Sequence, residues 1–193
     1  MTVQQTPEIL VIMSGGTIDA EPYAETPNRV TPLSESKVPK MVADLGYADQ
    51  CAFYQWMMKD SQDFSADEIC QLAKIIRDSG YKKVMVTHGT DAMVKNAGIV
   101  QEELHGTDID VRFVGAMEPL SHGERSDGSA SLRVALEDLL VGRAREKNVY
   151  IVGRGMQQNG QLAAAIYDPA TTAKDRERKI FVDTQEHAAT RGR

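Results

Sequence analysis

No stretch of the chain approaches the ~20 consecutive apolar residues that would cross a bilayer. Its first eight residues carry neither a basic start nor a long apolar run, so neither a membrane span nor a secretory signal is expected. Cysteine is scarce. Cys51 and Cys70 lack a metal-like spacing, and both lie in apolar segments. The expectation is two reduced, buried thiols in a cytoplasmic protein. Basic clusters are missing outside the tail region, on a chain of net charge −6. That argues against nucleic acid or an anionic membrane as partner. Low-complexity tracts and internal repeats are absent as well.

The chain has also few of the motifs that would mark common chemistries. G-x-x-x-x-G-K-[ST] is absent, and G-x-G-x-x-G does not follow the first apolar run, so no nucleotide cofactor is expected. His88 and Asp91 with Asp60 or Asp63 make a weak metal set, having no His-x-x-x-His or cysteine partner, and no metal is expected. A better reading has His88 shaping a turn and Asp91 capping it or binding a ligand cation. G-x-S-x-G is missing too, so nothing marks a serine nucleophile for His88 or His122.

What is present is an ordinary globular composition over 193 residues, 41% hydrophobic and 26% charged. One α/β domain over residues 1–193 is expected, with a frayed tail from about 187. The organising stretch is Ile9-Leu10-Val11-Ile12-Met13-Ser14-Gly15-Gly16-Thr17-Ile18-Asp19-Ala20. An unbroken apolar run reads as a buried parallel strand. The two glycines turn the backbone and admit a ligand closely. Thr17 then lies beyond the strand's carboxyl end, where open α/β sheets bind ligands. A proline-rich segment, 21–32, follows as a loop long enough to act as a lid, and Tyr23 is its aromatic residue.

Helix and strand then alternate. A helix is expected over 34–45 with Pro39 disturbing its first turn, and an aromatic strand over 51–58. Ser65 and Glu68 form a capping box for a helix that buries Ile69, Leu72, Ala73, Ile75 and Ile76 and stops at Gly80. A strand over 83–87 runs into His88-Gly89-Thr90-Asp91, followed by a helix from about 92 to 104. A strand over 111–114 ends in Gly115-Ala116-Met117. After the polar loop 121–128, Leu132, Ala135, Leu136, Leu139 and Leu140 mark an amphipathic helix. A fifth strand, 149–152, is broken by Gly153 and Gly155. Asn159-Gly160 reads as a hairpin turn, with a returning strand over 162–167. Residues 168–172 read as a turn and 174–179 as a solvated charge run. Five alternations predict a doubly wound, mostly parallel sheet with helices on both faces. Four segments then meet at one edge: 15–17, 60–63, 87–91 and 115–117.

Those segments hold two threonines, Thr17 and Thr90, the second followed by a carboxylate. A threonine hydroxyl needs a base or a nearby cation to become nucleophilic at neutral pH. Backbone N–H groups around Gly16-Thr17 and Gly89-Thr90 are natural oxyanion donors. Ser61, Gln62 and Asp91 suit a small zwitterion. A threonine at a strand end more often caps a helix, so position alone leaves both roles open.

The same residues resemble a known family. Ser14-Gly15-Gly16-Thr17-Ile18 is similar to the T-G-G-T-I signature of bacterial-type L-asparaginases, and Val86-Thr87-His88-Gly89-Thr90-Asp91-Ala92-Met93 resembles their T-H-G-T-D-T-M signature. Asp60-Ser61-Gln62-Asp63 looks like the family's substrate-binding segment and Val114-Gly115-Ala116-Met117 like its V-G-A-M run. The order and spacing agree over roughly residues 8–152. The resemblance implies the asparaginase N-terminal-domain fold and hydrolysis of L-asparagine to L-aspartate and ammonia, without a cofactor. It implies Thr17 as nucleophile assisted by Tyr23, and Thr90 and Asp91 acting with a lysine. Gly16, Ser61, Gln62, Asp91 and Ala116 are the implied substrate contacts.

Two departures accompany the resemblance. The family's usual second domain would begin near the point where this chain ends, as in the short, single-domain members. The lysine expected just after the fifth strand aligns with Ala165, and Lys174, in Thr171-Thr172-Ala173-Lys174-Asp175, is the nearest equivalent; a solvated lysine in the charge run is the alternative. A homodimer or higher oligomer is implied. Two other functions remain open: a broader glutaminase-asparaginase, since one methylene shifts specificity by only ~1–3 kcal/mol, and a non-catalytic asparagine- or aspartate-binding protein.

Overall fold

The computed structural model describes residues 6–21, 29–142 and 145–185. Its strands are β1 (Ile9–Gly15), β2 (Cys51–Lys59), β3 (Lys83–Thr87), β4 (Asp110–Val114), β5 (Val149–Met156), β6 (Leu162–Tyr167), β7 (Thr172–Asp175) and β8 (Ile180–Asp183). Its helices are α1 (Val38–Asp44), α2 (Ala66–Asp78), α3 (Met93–Glu103) and α4 (Gly128–Val141). They build one sheet in the order β2-β1-β3-β4-β5-β8-β7, with β6 also pairing β5. The first five strands pair in parallel; β6 against β5 and β7 against β8 are antiparallel.

Helices cover both faces. Leu10, Ile12, Val84, Val86, Val111 and Phe113 pack with the buried stripes of α2 and α3. Ile9, Val11, Met13, Met85 and Val114 pack with α1 and α4. The alternation of those strand residues between faces is the period of two that a pleated strand imposes. Every residue of β1 is buried, which explains its unbroken apolar run. The expected capping box closes the start of α2: Ser65 Oγ accepts from Glu68 N at 3.2 Å and Glu68 Oε2 from Ser65 N at 2.9 Å. No described helix is long and apolar enough to cross a membrane.

The order 2-1-3-4-5 places a reversal between β1 and β3. The chain steps outward from β1 to β2, then crosses back and proceeds the other way. Such a switch point leaves a crevice at the carboxyl ends of the two diverging strands. The turns 16–19 and 88–92 leave β1 and β3 there.

Four expectations differ from the structure. The first helix starts at Val38 rather than 34, because Ser34 and Ser36 spend their hydrogen-bonding groups elsewhere: Ser34 O accepts from Gln55 Nε2 at 2.9 Å and Ser36 Oγ donates to Asp19 at 2.7 Å. The fifth strand runs through Gly153 and Gly155 to Met156. There the glycines admit rings lying across the strand: a Cβ at Gly153 would stand 2.6 Å from the Phe181 ring and one at Gly155 only 1.5 Å from the Tyr167 hydroxyl. Cys51 is buried but Cys70 is partly exposed, since it lies off the Ile69, Leu72, Ala73 and Ile76 stripe of α2. Finally, the charge run is not a solvated face throughout. Lys174 and Asp175 end β7, which pairs with β8 as a hairpin on the sheet's far side. Tyr23 and the tail from 187 lie outside the described residues.

Candidate active site

The crevice is lined first by backbone. Gly16 N donates to Lys59 O at 2.9 Å, sewing the end of β1 to the end of β2. Gly16 has φ 79 and ψ −170, a region open essentially to glycine alone. A Cβ on Gly16 would stand 2.2 Å from Gly89 N, and one on Gly89 would stand 2.7 Å from Ser61 Oγ. The two glycines therefore let three turns touch: 16–19, 61–63 and 88–92. A fourth joins through Gly115, where a Cβ would meet Thr90 Cγ2 at 2.7 Å. The four segments expected at one sheet edge do converge there.

A buried hydrogen-bonded relay holds β1 to β3 just beneath. Ser14 Oγ donates to Thr87 O at 2.6 Å, so its lone pair faces His88 Nδ1 at 2.8 Å. The proton of the imidazole is thereby assigned to Nδ1, and Nε2 accepts from Asn96 Nδ2 at 2.9 Å. His88 has no exposed surface, and its ring packs against Phe64 and Phe113 at 5.1 and 5.7 Å between centroids. Burial pushes its pKa down to about 3. It is a neutral strut, not an acid or base.

Thr17 opens the turn after β1 and is half-buried; Thr90 is buried. Lys174 reaches across from β7. Its Nζ donates to Thr90 Oγ1 at 2.7 Å and to Asp91 Oδ1 at 2.8 Å. The Lys174 side chain is 16% exposed and that of Asp91 20%, so the pair is partly shielded from water and its attraction exceeds that of a surface pair. A cation bonded to a threonine hydroxyl favours the alkoxide form of that hydroxyl and so makes it, or a water hydrogen-bonded to it, a better nucleophile.

Ser61 is buried and its Oγ accepts from Ala92 N at 3.2 Å, directly beside Asp91. Gln62 lies on the same turn with its side chain exposed and its N–H bonded to Asp60 Oδ1 at 2.9 Å. Ala116 is buried after β4, and its turn is fixed by the Asp127 carboxylate, which accepts from Met117 N and Glu118 N, both at 2.9 Å. Tyr23 belongs to residues 22–28, outside those described. The segment's two ends are fastened, however: Ala20 bridges Pro32, and Asp60 Oδ2 accepts from Val30 N at 2.9 Å while Arg29 pairs with Asp63 at 2.6 Å.

Sequence reasoning missed the supports: Ser14, Asn96, Asp60 and Asp127. Each acts through partners distant in the chain or through backbone N–H groups; Ser14 and Asp60 lie within the resembling segments, but those segments do not mark them as supports. Buried Asp19 belongs with them. Its carboxylate accepts from Ser36 Oγ at 2.7 Å and Lys37 N at 2.8 Å, and burial raises its pKa. Among the described residues no three His, Cys, Asp or Glu side chains gather as a metal site would require.

The model of the asparaginase N-terminal family matches residues 8–179. Among solved structures, a probable cytoplasmic L-asparaginase from Campylobacter jejuni superposes with a TM-score of 0.67 at 22% identity, covering 92% of this chain and 53% of that one. The thermostable L-asparaginase from Thermococcus kodakarensis does so with a TM-score of 0.65 at 19% identity, covering 91% of this chain and 50% of that one. This chain thus spans about half the length of the structures it resembles. No curated protein matches it in sequence. At such identities the structures speak for the fold, while the family model takes in nearly the whole chain from β1 to the β7–β8 turn; the chain belongs to the asparaginase family, whose N-terminal domain it carries.

Proposed function

We propose that this protein is an L-asparagine amidohydrolase that works through a threonine acyl-enzyme. The observation that carries the reading is the Lys174 ammonium, hydrogen-bonded at once to Thr90 Oγ1 and Asp91 Oδ1, beside the turn that presents Thr17. Family membership supplies the reaction class.

L-Asparagine enters the crevice with its α-amino group toward Asp91 and its α-carboxylate toward Ser61 and Gln62. Thr17 Oγ1 attacks the side-chain carbonyl carbon, and backbone N–H groups of the 16–19 and 88–92 turns stabilise the oxyanion. The C–N bond breaks, the nitrogen takes up the proton that the Thr17 hydroxyl gives up, and ammonia leaves past the Ala116 carbonyl. An ester between Thr17 and the aspartyl group remains. Water held near Thr90 attacks that ester, the C–O bond to Thr17 breaks with the water's proton passing to Thr17 Oγ1, and L-aspartate is released. Tyr23 assists at Thr17 from the connecting segment. No cofactor enters. The protein acts in the cytoplasm as a homo-oligomer.

Ammonia release from L-asparagine and L-glutamine tests the reading. Wild-type protein releases ammonia from L-asparagine with the higher kcat/KM, and Thr17→Ala abolishes turnover. Wild-type-like turnover in that variant removes Thr17 as nucleophile. Binding of L-aspartate with no ammonia from either amide makes the protein a binding module instead.

A further inference from the structure

We infer that Arg176 is a specificity residue that selects substrates bearing a free α-carboxylate; the inference rests on the amidohydrolase reading above. Arg176 lies just past β7, two residues beyond Lys174. Its Nη2 stands 3.5 Å from Asp91 Oδ1, the same oxygen that Lys174 holds at 2.8 Å. One carboxylate oxygen therefore faces two cations, and the cluster of Lys174, Arg176 and Asp91 carries a net charge of +1. A substrate that brought only an ammonium group to Asp91 would raise that excess. One that also brings a carboxylate on the same carbon holds it at +1.

The two cations differ in freedom. Lys174 is 16% exposed and makes two short bonds. Arg176 is 59% exposed and makes one long contact. An ion pair so open to water is weak and readily exchanged. The guanidinium fork matches a carboxylate with two parallel hydrogen bonds, which it does not make with Asp91 here. Ser61 Oγ accepts from the backbone N–H of Ala92, the residue after Asp91, at 3.2 Å. On this inference, a carboxylate placed beside Ser61 draws the Arg176 guanidinium off Asp91. The lysine enters the chemistry through Thr90; the arginine sits on the rim and reads the substrate's anionic end.

The test is steady-state kinetics of wild type, Arg176→Ala and Arg176→Lys on L-asparagine. Losing a charge-assisted hydrogen bond raises KM in Arg176→Ala by about 10- to 100-fold with kcat within about twofold. Arg176→Lys recovers part of the loss, keeping the charge but not the fork. The carboxylate-free analogue 3-aminopropanamide, used as a competitor, affects Arg176→Ala at least as strongly as wild type. An unchanged KM, a fall in kcat as large as the rise in KM, or weaker competition by the analogue in the variant overturns the inference. Should wild type release no ammonia from L-asparagine, the amidohydrolase reading fails by itself. Calorimetric binding of L-aspartate then decides on Arg176: weaker binding to Arg176→Ala upholds its role, and equal or absent binding to both proteins overturns it.

Discussion

Thr17 and Thr90 stand on turns leaving two adjacent interior strands of the sheet, whereas Lys174 reaches Thr90 from a four-residue strand at its far end. The central side is defined by backbone. Gly16 and Gly89 are in contact, β1 and β3 pair over five residues from Ile9 to Met13, and the Ser14-His88-Asn96 relay ties the strand ends together. The hairpin side depends on side chains. β8 meets β5 through the single pairing of Gly155 with Phe181, and the buried Phe181 ring lying over Gly153 anchors it. The positions proposed to hold oxyanion donors sit on the over-determined side. Lys174, proposed to deliver a positive charge, sits at the end of a long, flexible stem. The contrast is what separate demands for geometry and for charge would produce.

The largest effect expected from breaking this arrangement comes from Lys174. Lys174→Ala leaves the central turns intact and removes the cation from Thr90 and Asp91. We expect kcat on L-asparagine to fall by about 10²- to 10³-fold, with thermal unfolding moving by only a few degrees. A kcat within threefold of wild type, in a folded variant, would show that the hairpin side is not part of the catalytic apparatus.

A second effect probes the central side through His88. The imidazole's pKa is near 3 in the folded protein because of burial, against about 6.5 in an unfolded chain. Between those values the unfolded state binds a proton that the native state does not. The contribution of His88 to stability is therefore fully present above pH 6.5 and is lost as pH falls toward 3. Over that window the folding constant of wild type should drop up to about tenfold per pH unit more steeply than that of His88→Gln. Urea midpoints measured from pH 7 to pH 4 give both slopes. Parallel curves would mean that His88 is protonated in the native protein and that the Ser14 and Asn96 bonds do not hold it neutral.

The same division governs what could be read from the chain. The apolar run of β1, the stripe of α2 and the turns after β1 and β3 declare themselves locally, because burial on a pleated strand or a helix face imposes a short period. Topology then carries Thr17, Ser61, Thr90 and Ala116 to one edge with no further information. Lys174 is different. Residues 174–179 are all charged, which normally marks a solvated surface. What turns its lysine inward is the carboxylate of Asp91, 83 positions earlier in the chain. The family resemblance, and no local pattern, singled that lysine out. Ser14 and His88 are likewise 74 positions apart, and the relay they form with Asn96 leaves no trace in either neighbourhood. Long-range polar contacts have no periodicity, so they surface only once the sheet order is known.

The smallest effect tests whether a feature legible in the chain is separable from the site. Ser65 caps α2 through its own hydroxyl, which accepts from Glu68 N, and α2 packs on the sheet face away from α1 and α4. Ser65→Ala should lower stability by about 1 kcal/mol, seen as a drop of roughly 2–4 °C in Tm, while kcat and KM stay at wild-type values. The Ser61–Asp63 turn ends only two residues before Ser65, so the independence is not trivial. It holds because Asp60, not the helix, fixes that turn, by accepting from Gln62 N on one oxygen and from Val30 N on the other. A rise in KM in Ser65→Ala would show instead that the helix start sets the position of Ser61, and the central side of the crevice would then extend into α2.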